Sequence, residues 1–372
     1  MMKKSLIALA VLGTVSGFAM AESNVTVYGA VDAGVTASKM KQGGDAKFQM
    51  SNGNWYDNQV GIKGQEDLGK NNKVFFRLEQ GFKLSNGQVN DGPDNGSFNR
   101  ESVLGVGGDW GSVSFGRFGG LSSDTGSYSI LGGSAYGTSF QTIGNLNSAF
   151  ILAPRVNNAI ALTSPKYDGT QFFAVYSNGV KNDDEKWADN SHYYGLGGTF
   201  SDGNFKANAI WEMYDNKDTN AKNSNIFTLG ASYDFGSFTL YGAYQYAMHS
   251  QALPGDNSSL KALHKDNGDF RKGANQNAVS LSISTPISGG TAYLQGQYAL
   301  GKLKNKTTLQ ADVEDKYDVW SIGAGYTYPV SKRTLVYAGA AYGDAGKALK
   351  SRASRDFDLS GWNATVGMAH TF

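Results

Sequence analysis

The stretch from Asn277 to Thr285 reads N-A-V-S-L-S-I-S-T, and its apolar and polar residues alternate strictly. Val279, Leu281 and Ile283 fall on one face of an extended chain, and the serines between them fall on the other. Alternation with a period of two predicts a β-strand that has one apolar face. The opposite face carries small, uncharged hydroxyl side chains, which indicates that this face contacts water.

The same alternation occurs along most of the chain. It is clear over 227–235, 238–246 and 362–372, whereas we find no long stretch of helical periodicity after the N-terminus. Counting the alternating runs predicts an all-β chain of about sixteen strands. The predicted strands cover 24–38, 54–65, 72–84, 98–108, 112–118, 157–164, 170–180, 191–201, 204–214, 225–235, 237–248, 275–285, 291–301, 316–328, 333–344 and 359–372.

The connections between these strands have two lengths, and the two lengths alternate. Short turns occur at 109–111, 201–203, 235–237 and 288–290. Longer polar connections lie near 39–53, 85–97, 181–190, 215–224, 249–274, 302–315 and 345–358. Short periplasmic turns, long extracellular loops and an even number of strands are typical of antiparallel β-barrels that span the bacterial outer membrane.

The composition excludes several other classes of protein. No apolar run of about 20 residues follows the N-terminus, which excludes a helical membrane protein. The formal net charge of +1 indicates no nucleic-acid partner. The chain has no cysteine and its four histidines lack metal-ligand spacing, so we expect no metal, no cofactor and no thiol chemistry. We also find no motif of a serine–histidine hydrolase, so we expect no enzyme.

The first residues have the features of an export signal. Lys3 and Lys4 give a basic start, an apolar run follows, and Ala19-Met20-Ala21 is a small-residue cleavage pattern. These features predict a secretory signal peptide over residues 1–21 and a mature barrel over residues 22–372. The alternative, an N-terminal membrane anchor, is disfavoured because the apolar run is too short to span a bilayer.

A soluble β-sandwich would also show alternation, because one face of each sheet would meet water. Here the apolar faces often end in Tyr, Trp or Phe, as in the segment that ends at Phe372. Aromatic residues at the ends of an apolar band are typical of a lipid-facing barrel wall around a wet lumen. Together with the export signal, this pattern favours the membrane barrel.

Several motifs resemble one known family over nearly the whole chain. They are V-T-V-Y-G-A-V-D-A-G at 25–34, V-G-I-K-G-Q-E-D-L-G at 60–69, F-N-R-E-S at 98–102, G-S-V-S-F-G-R at 111–117, S-P-K-Y-D-G at 164–169, L-V-Y at 335–337 and the terminal Phe372. In this order and spacing they are similar to the general porins of Gram-negative outer membranes, of the betaproteobacterial and neisserial type. The resemblance implies a homotrimer of sixteen-stranded barrels with the third extracellular loop folded into the lumen.

The third loop is also visible from its length. No clean alternation occurs between Phe118 and Val156, and a connection this long in a compact fold is usually functional. The segment is rich in glycine and serine, and Asp124 is the only acid between Phe118 and Arg155. We therefore expect it to pack against the inner wall; the alternative is an ordinary surface loop.

Strand parity and the resemblance together select candidate residues for a pore constriction. Parity places Asp32, Lys63, Arg77 and Glu79 on the lumenal face, and the resemblance adds charges beside the third loop. The candidates are Asp32, Lys63, Arg77, Glu79, Arg100, Arg117, Asp124 and Arg155, with Glu101 as a further acid. For each of them the alternative is a solvated charge or a structural hydrogen-bonding group.

The position of these charges predicts a wide pore with a weak preference for anions, because the third loop carries one acid and is flanked by Arg117 and Arg155, whereas the numbers alone do not decide the sign. Five basic candidates face four acidic ones. The family often has Arg where this chain has Gln59, so the resemblance implies no strong selectivity. The predicted function is passive diffusion of ions and small hydrophilic solutes. The alternative is a substrate-selective channel that uses the loop aromatics Tyr128, Tyr136, Phe140 and Phe150.

The resemblance also implies partners. Porins of this kind lie among outer-membrane lipid and lipopolysaccharide, and they use a terminal aromatic residue as a signal to the barrel-assembly machinery. Phe372 occupies that position here. We therefore expect the last residue to matter for insertion.

Overall fold

The computed structural model describes residues 24–41, 44–89, 96–136, 149–180, 186–217, 221–254, 271–304, 316–351 and 359–372. The predicted signal peptide lies outside these residues, so cleavage after Ala21 stays a prediction. No helix in the described part of the chain is long and apolar enough to cross a membrane.

Seventeen strands and one short helix form the described chain. The strands are β1 (Asn24–Met40), β2 (Lys47–Asn52), β3 (Gln59–Gly69), β4 (Asn72–Gly81), β5 (Glu101–Gly108), β6 (Gly111–Gly119), β7 (Arg155–Thr163), β8 (Thr170–Gly179), β9 (His192–Asp202), β10 (Phe205–Asp215), β11 (Ser224–Asp234), β12 (Thr239–Ser250), β13 (Ala274–Ile287), β14 (Gly290–Leu303), β15 (Lys316–Pro329), β16 (Thr334–Gly346) and β17 (Gly361–Thr371). The helix is α1 (Lys347–Ser351), in the connection between β16 and β17.

The sheet closes on itself. From β3 onward each strand pairs antiparallel with the next, and β17 pairs with β1 from Ala30–Thr371 to Met40–Gly361. β2 and β3 both pair with the same side of β1, one after the other, so they are two parts of a single wall strand. The barrel therefore has sixteen wall strands, and the predicted number is confirmed.

One stretch differs from the predicted strands. The sequence predicts a loop over 39–53 and a strand over 54–65, whereas β2 lies within the predicted loop and residues 53–58 leave the sheet. The backbone N–H groups of Trp55 and Tyr56 donate to the Asp32 carboxylate, at 2.6 and 2.8 Å, and not to a neighbouring strand. Here a side chain accepts the backbone hydrogen bonds that a neighbouring strand would otherwise accept. The alternation of apolar and polar residues does not show such a substitution.

The two faces of the wall differ as the alternation predicts. Leu229, Leu281 and Leu294 point outward and are exposed, as lipid-facing side chains of a barrel are. Inward positions carry polar side chains, among them Gln245 and Gln295, and these are buried. Something inside the barrel must therefore cover them.

The covering group is the third loop, residues 120–154 between β6 and β7. Its described parts supply Leu121, Leu131 and Phe150 to a buried apolar cluster with wall residues such as Val156 and Ile210. The largest apolar core thus lies inside the barrel, between the third loop and the wall. The prediction that this loop folds into the lumen is confirmed.

The last residue joins the first strand. Phe372 and Gly29 exchange two backbone hydrogen bonds of 3.1 Å. A Cβ on Gly29 would lie 2.4 Å from Cζ of the Phe372 ring, so the absent side chain makes room for the aromatic one. The terminal residue therefore fills a notch at the closing seam.

Deleting Phe372 should lower the amount of folded, heat-modifiable barrel in the outer membrane, because the seam loses two hydrogen bonds and the ring. Gly29→Val should act in the same direction by closing the notch from the other side. Gly296→Ala is the control, since a Cβ there meets open space. Electrophoresis of heated and unheated membranes measures the folded fraction, and an unchanged fraction in both seam variants would refute the role of the notch.

Candidate pore constriction

The third loop is fixed to the far wall by wall side chains that reach its backbone. Gln245 on β12 accepts from the Ile151 N–H at 2.8 Å and donates to the Ile151 carbonyl oxygen at 2.8 Å. Gln276 on β13 donates to the Ala149 carbonyl oxygen, and Gln297 on β14 accepts from the Ala149 N–H. These inward glutamines replace the water that a bare loop backbone would need.

A buried carboxylate holds the beginning of the loop. Glu212 on β10 is fully buried and accepts from the Tyr193 hydroxyl at 2.5 Å and from the Ser122 N–H at 3.1 Å. The Ser122 hydroxyl donates to its second oxygen. The Tyr193 hydroxyl also accepts from the Leu121 N–H at 2.9 Å. One carboxylate therefore links two wall strands to the start of the loop.

Glycines bring the loop backbone against the wall. A Cβ on Gly230 of β11 would lie 2.2 Å from the carbonyl oxygen of Gly132 in the loop. Gly133 has φ of 91°, a conformation that favours glycine, and a Cβ there would lie 2.5 Å from the Gly242 carbonyl oxygen. The contact is possible only because side chains are absent on both sides.

Opposite this wall, predicted charges lie on β3, on β4 and at the start of β5, and they take part in three ion pairs. Arg77 Nη1 lies 3.1 Å from Glu101 Oε2, and Glu101 also accepts from the Ser127 N–H of the third loop at 2.5 Å. Arg100 Nε lies 2.7 Å from Glu79 Oε1. Its Nη1 lies 2.9 Å from Asp57 Oδ2, so Arg100 bridges two carboxylates.

The two acids of this wall beside the third loop are buried, whereas Glu66 and Asp67, nearer the short turn after β3, are exposed, and several of the cations meet water. Glu79 is 5% exposed and Glu101 is 1% exposed, but the side chain of Arg77 is 34% exposed. Lys63 is exposed, with Nζ 5.0 Å from the centre of the Tyr28 ring. Lys63, Arg77 and the exposed Lys73 line a cavity of about 850 Å³ between this wall and the third loop.

Three predicted residues lie where the third loop leaves and rejoins the wall. Arg117 donates to the Asn99 carbonyl oxygen at 2.8 Å and to the Asn157 side chain. Arg155 donates to the Thr125 hydroxyl at 2.6 Å. Asp124 lies near Arg155; burial raises the pKa of its carboxyl, and the positive charges of Arg155 and Arg100 oppose that rise. Arg117 and Arg155 therefore connect loop and wall segments, and Asp124 adds a buried acid beside them.

Asp32 does not meet the lumenal water as predicted. Parity places it on the inner face correctly, but its side chain is fully buried beneath residues 53–58. Its carboxylate accepts from the N–H groups of Trp55 and Tyr56 and from the Tyr337 hydroxyl at 2.6 Å. The correction has a physical reason, because these three donors converge on one carboxylate and cover it.

The loop aromatics proposed for a substrate-selective channel have mixed positions. Tyr128 and Phe150 are buried in the apolar cluster that fixes the loop. Tyr136 is partly buried beside Tyr293, with ring centres 5.4 Å apart. Phe140 lies outside the described residues. Two of the four thus act as loop anchors, which removes them from any water-facing row of aromatics.

Three residues of the site are not among those predicted from the sequence. Asp57 falls in a segment predicted as strand, Lys73 has the parity of Arg77 but lies next to a turn, and Glu212 is a lone acid on a wall strand. Parity alone could have found Lys73. Asp57 and Glu212 depend on contacts between distant parts of the chain, which the sequence does not show.

The described residues contain no group of three or more His, Asp or Glu side chains that could hold a metal ion. The site instead consists of fixed charges that line a water-filled cavity, next to the apolar cluster that fixes the third loop to the wall. Such an arrangement can bias the passage of ions according to their sign.

Comparisons with known proteins agree with this geometry. A family model described as Gram-negative porin matches residues 8–348. An outer membrane porin protein of Bordetella pertussis is 29% identical, and the match covers 100% of both chains.

Solved structures share the fold. An anion-selective porin from Comamonas acidovorans has a TM-score of 0.66 at 21% identity, covering 94% of this chain and all of the other. The trimer form of OmpT from Vibrio cholerae has a TM-score of 0.61 at 16% identity, covering 94% and 99%. With the closed barrel and its inward loop, these matches show that the chain belongs to the Gram-negative porins and is a diffusion porin of the outer membrane.

Proposed function

We propose that this porin passes ions and small hydrophilic solutes with a weak preference for anions, and that it has no catalytic role. The observation that carries the proposal is the unequal exposure of charge on β3 to β5. Beside the third loop, Lys63 and Arg77 meet the lumenal water, whereas Glu79 and Glu101 are buried and paired with arginines. Nearer the short turn, the exposed Lys73 faces the exposed Asp67, its register partner on β3. At the level of the third loop, a passing ion therefore meets more positive than negative charge on this wall.

The preference should be weak because the acids are close to the cations. Two unit charges 4 Å apart interact by about 1 kcal/mol in water, and Arg77 and Arg100 each have a carboxylate nearer than that. Opposite charges at such short range largely cancel at a distance. The remaining field biases the traffic of ions without excluding either sign.

The test is a reversal-potential measurement on purified protein in a planar bilayer with a salt gradient. We expect a small potential of the sign that indicates anion preference, and we expect it to fall at high salt, where the Debye length shrinks to about 3 Å. Flux of an uncharged sugar should rise almost linearly with its concentration. A cation preference would overturn the proposed sign, and saturating flux would favour a substrate-selective channel.

We also propose that the functional unit is a homotrimer of separate pores. The OmpT structure in trimer form shares the fold, and the outer wall near the seam is apolar, with Val25, Val27, Val366 and Met368 exposed. Apolar walls of this kind can pack against a second copy. The remaining outer wall would then contact outer-membrane lipid and lipopolysaccharide, and Phe372 would be read by the barrel-assembly machinery.

A trimer should run as a detergent-resistant species that dissociates on heating, and a blocking agent should remove conductance in steps of one third. Light scattering in mild detergent measures the particle mass. Val366→Asp should dissociate the trimer if the seam wall is the interface, whereas Leu281→Asp on the far wall should not. A strictly monomeric particle for the unaltered protein would refute the homotrimer.

A further inference from the structure

Residues 53–58 form a second segment inside the lumen. They connect β2 to β3, which lie end to end along β1. Opposite them, Val31 and Asp32 have no register partner in β2 or β3, although both pair with β17 on the other side. Six residues thus stand where a continuous strand would need two, and the excess chain must leave the wall.

The contacts of this segment show that it leaves the wall on the inner side. Asp32 points inward and holds the segment through the Trp55 and Tyr56 N–H groups. Asn54 donates to the hydroxyl of Thr365, an inward residue of β17, at 2.8 Å. The Asn58 side chain binds both the N–H and the carbonyl oxygen of Asp32. The base of the segment is therefore firmly attached to the lumenal face.

From this base the segment reaches two distant parts of the wall. The Trp55 ring lies 5.4 Å from the ring of Tyr293 on β14. At the other end, Asp57 forms its 2.9 Å ion pair with Arg100, directly before β5. These contacts lie on opposite sides of β1, so the segment extends along the inner wall from the β14 side to the β5 side.

The segment also meets the third loop. The Tyr293 ring lies between Trp55 and Tyr136, with ring centres 5.4 Å from each. Near Arg100, Asp57 interacts electrostatically with Arg155 and Asp124, which lie at the two ends of the loop. The third loop therefore approaches residues 53–58 at both ends of that segment, near Trp55 and near Asp57. Between these ends Tyr56 is 40% exposed, and its backbone N–H is held by Asp32.

We infer that residues 53–58 form the second half of the pore constriction, facing the third loop, and that Tyr56 narrows the water-filled opening between them. This inference rests on the proposed diffusion of solutes through the lumen and names a further determinant of its width. Asp32 is the positioning residue of the segment, since its buried carboxylate holds two of the six backbone N–H groups.

The natural absence of cysteine makes a direct test possible. In Tyr56→Cys, a thiol reagent with a bulky head should react and lower the conductance in successive steps, one for each pore of the proposed trimer. Tyr167→Cys is the matched control, because Tyr167 is 61% exposed but lies in the short turn before β8. It should react without changing conductance.

The outcomes separate this inference from the proposed function. If the unaltered protein conducts and modified Tyr56→Cys conducts equally well, the segment does not narrow the pore and the inference fails. An unreactive thiol in folded Tyr56→Cys would refute the exposure of this position in the lumen and overturn the inference too. If the unaltered protein does not conduct at all, the proposed function fails first.

A second variant covers the case in which Tyr56→Cys does not fold. Trp55→Ala with Tyr56→Ala removes both rings and should raise single-channel conductance, whereas Tyr167→Ala should not. Asp32→Asn should give a noisier and larger conductance, because the amide repels part of the N–H cluster that the carboxylate holds. Heat-modifiable mobility confirms folding of each variant, and unchanged conductance in folded forms of both would overturn the inference.

Discussion

Replacing Glu212 with leucine should detach the start of the third loop and widen the pore. The variant removes the acceptor for the Tyr193 hydroxyl, the Ser122 hydroxyl and the Ser122 N–H. Each buried donor left without a partner costs about 1 to 3 kcal/mol, so three of them exceed what a surface substitution changes. We expect single-channel conductance to rise, and the folded barrel to lose its heat resistance at a lower temperature.

Tyr193→Phe is the matched control for this prediction. It removes one donor to Glu212 and the acceptor for the Leu121 N–H, but it leaves both Ser122 contacts in place. Its effect on conductance should be clearly smaller. If Glu212→Leu conducts like the unaltered protein while it remains folded, the carboxylate does not determine the position of the loop, and the glutamines on β12 to β14 hold it alone.

Replacing Lys63 and Arg77 together with glutamine should shift the reversal potential towards cations. Both side chains line the cavity beneath the third loop, Lys63 exposed and Arg77 partly exposed, and they are register partners on β3 and β4. Loss of Arg77 also leaves the Glu101 charge without its ion pair. Removing about 1 kcal/mol of bias per charge corresponds to roughly a fivefold change for each charge, so about 25-fold in the permeability ratio is the upper estimate for the pair.

The shift should be largest in dilute salt, where the Debye length is about 30 Å, and small at 1 M, where it is about 3 Å. Lys332→Gln is the control, since this lysine is exposed in the short turn between β15 and β16. An unchanged reversal potential in dilute salt for the double variant would show that Lys63 and Arg77 do not influence the ion path.

The sequence predicts the barrel far better than its interior. Strict alternation, as in β13, identifies wall strands because one face meets lipid and the other does not. The split between β2 and β3 escapes it, because Asp32 replaces the sheet partners of Trp55 and Tyr56. Parity identifies the correct face for Asp32 but not its burial, which depends on chain that folds over it.

The interior of the site depends on contacts between distant residues. Glu212 and Ser122 lie 90 residues apart in the chain, and Arg100 and Asp57 lie 43 apart. Each is an unremarkable polar residue within its own segment. Lys63 and Arg77 are predictable from the sequence, unlike Glu212 and Asp57, because strand parity alone determines which charges face the water.

The closing seam has a consequence for the order of folding. Phe372 exchanges hydrogen bonds with Gly29, so one edge of β1 stays without its partner until β17 is available, whereas the other edge pairs with the nearby β2 and β3. Contacts between residues so far apart in the chain form slowly, because the entropy cost of closing the long intervening segment comes before the contact can offset it. Until β1 and β17 pair, each of them has one unpaired edge that can form hydrogen bonds with other chains. A truncated chain would keep that hazard for as long as it exists.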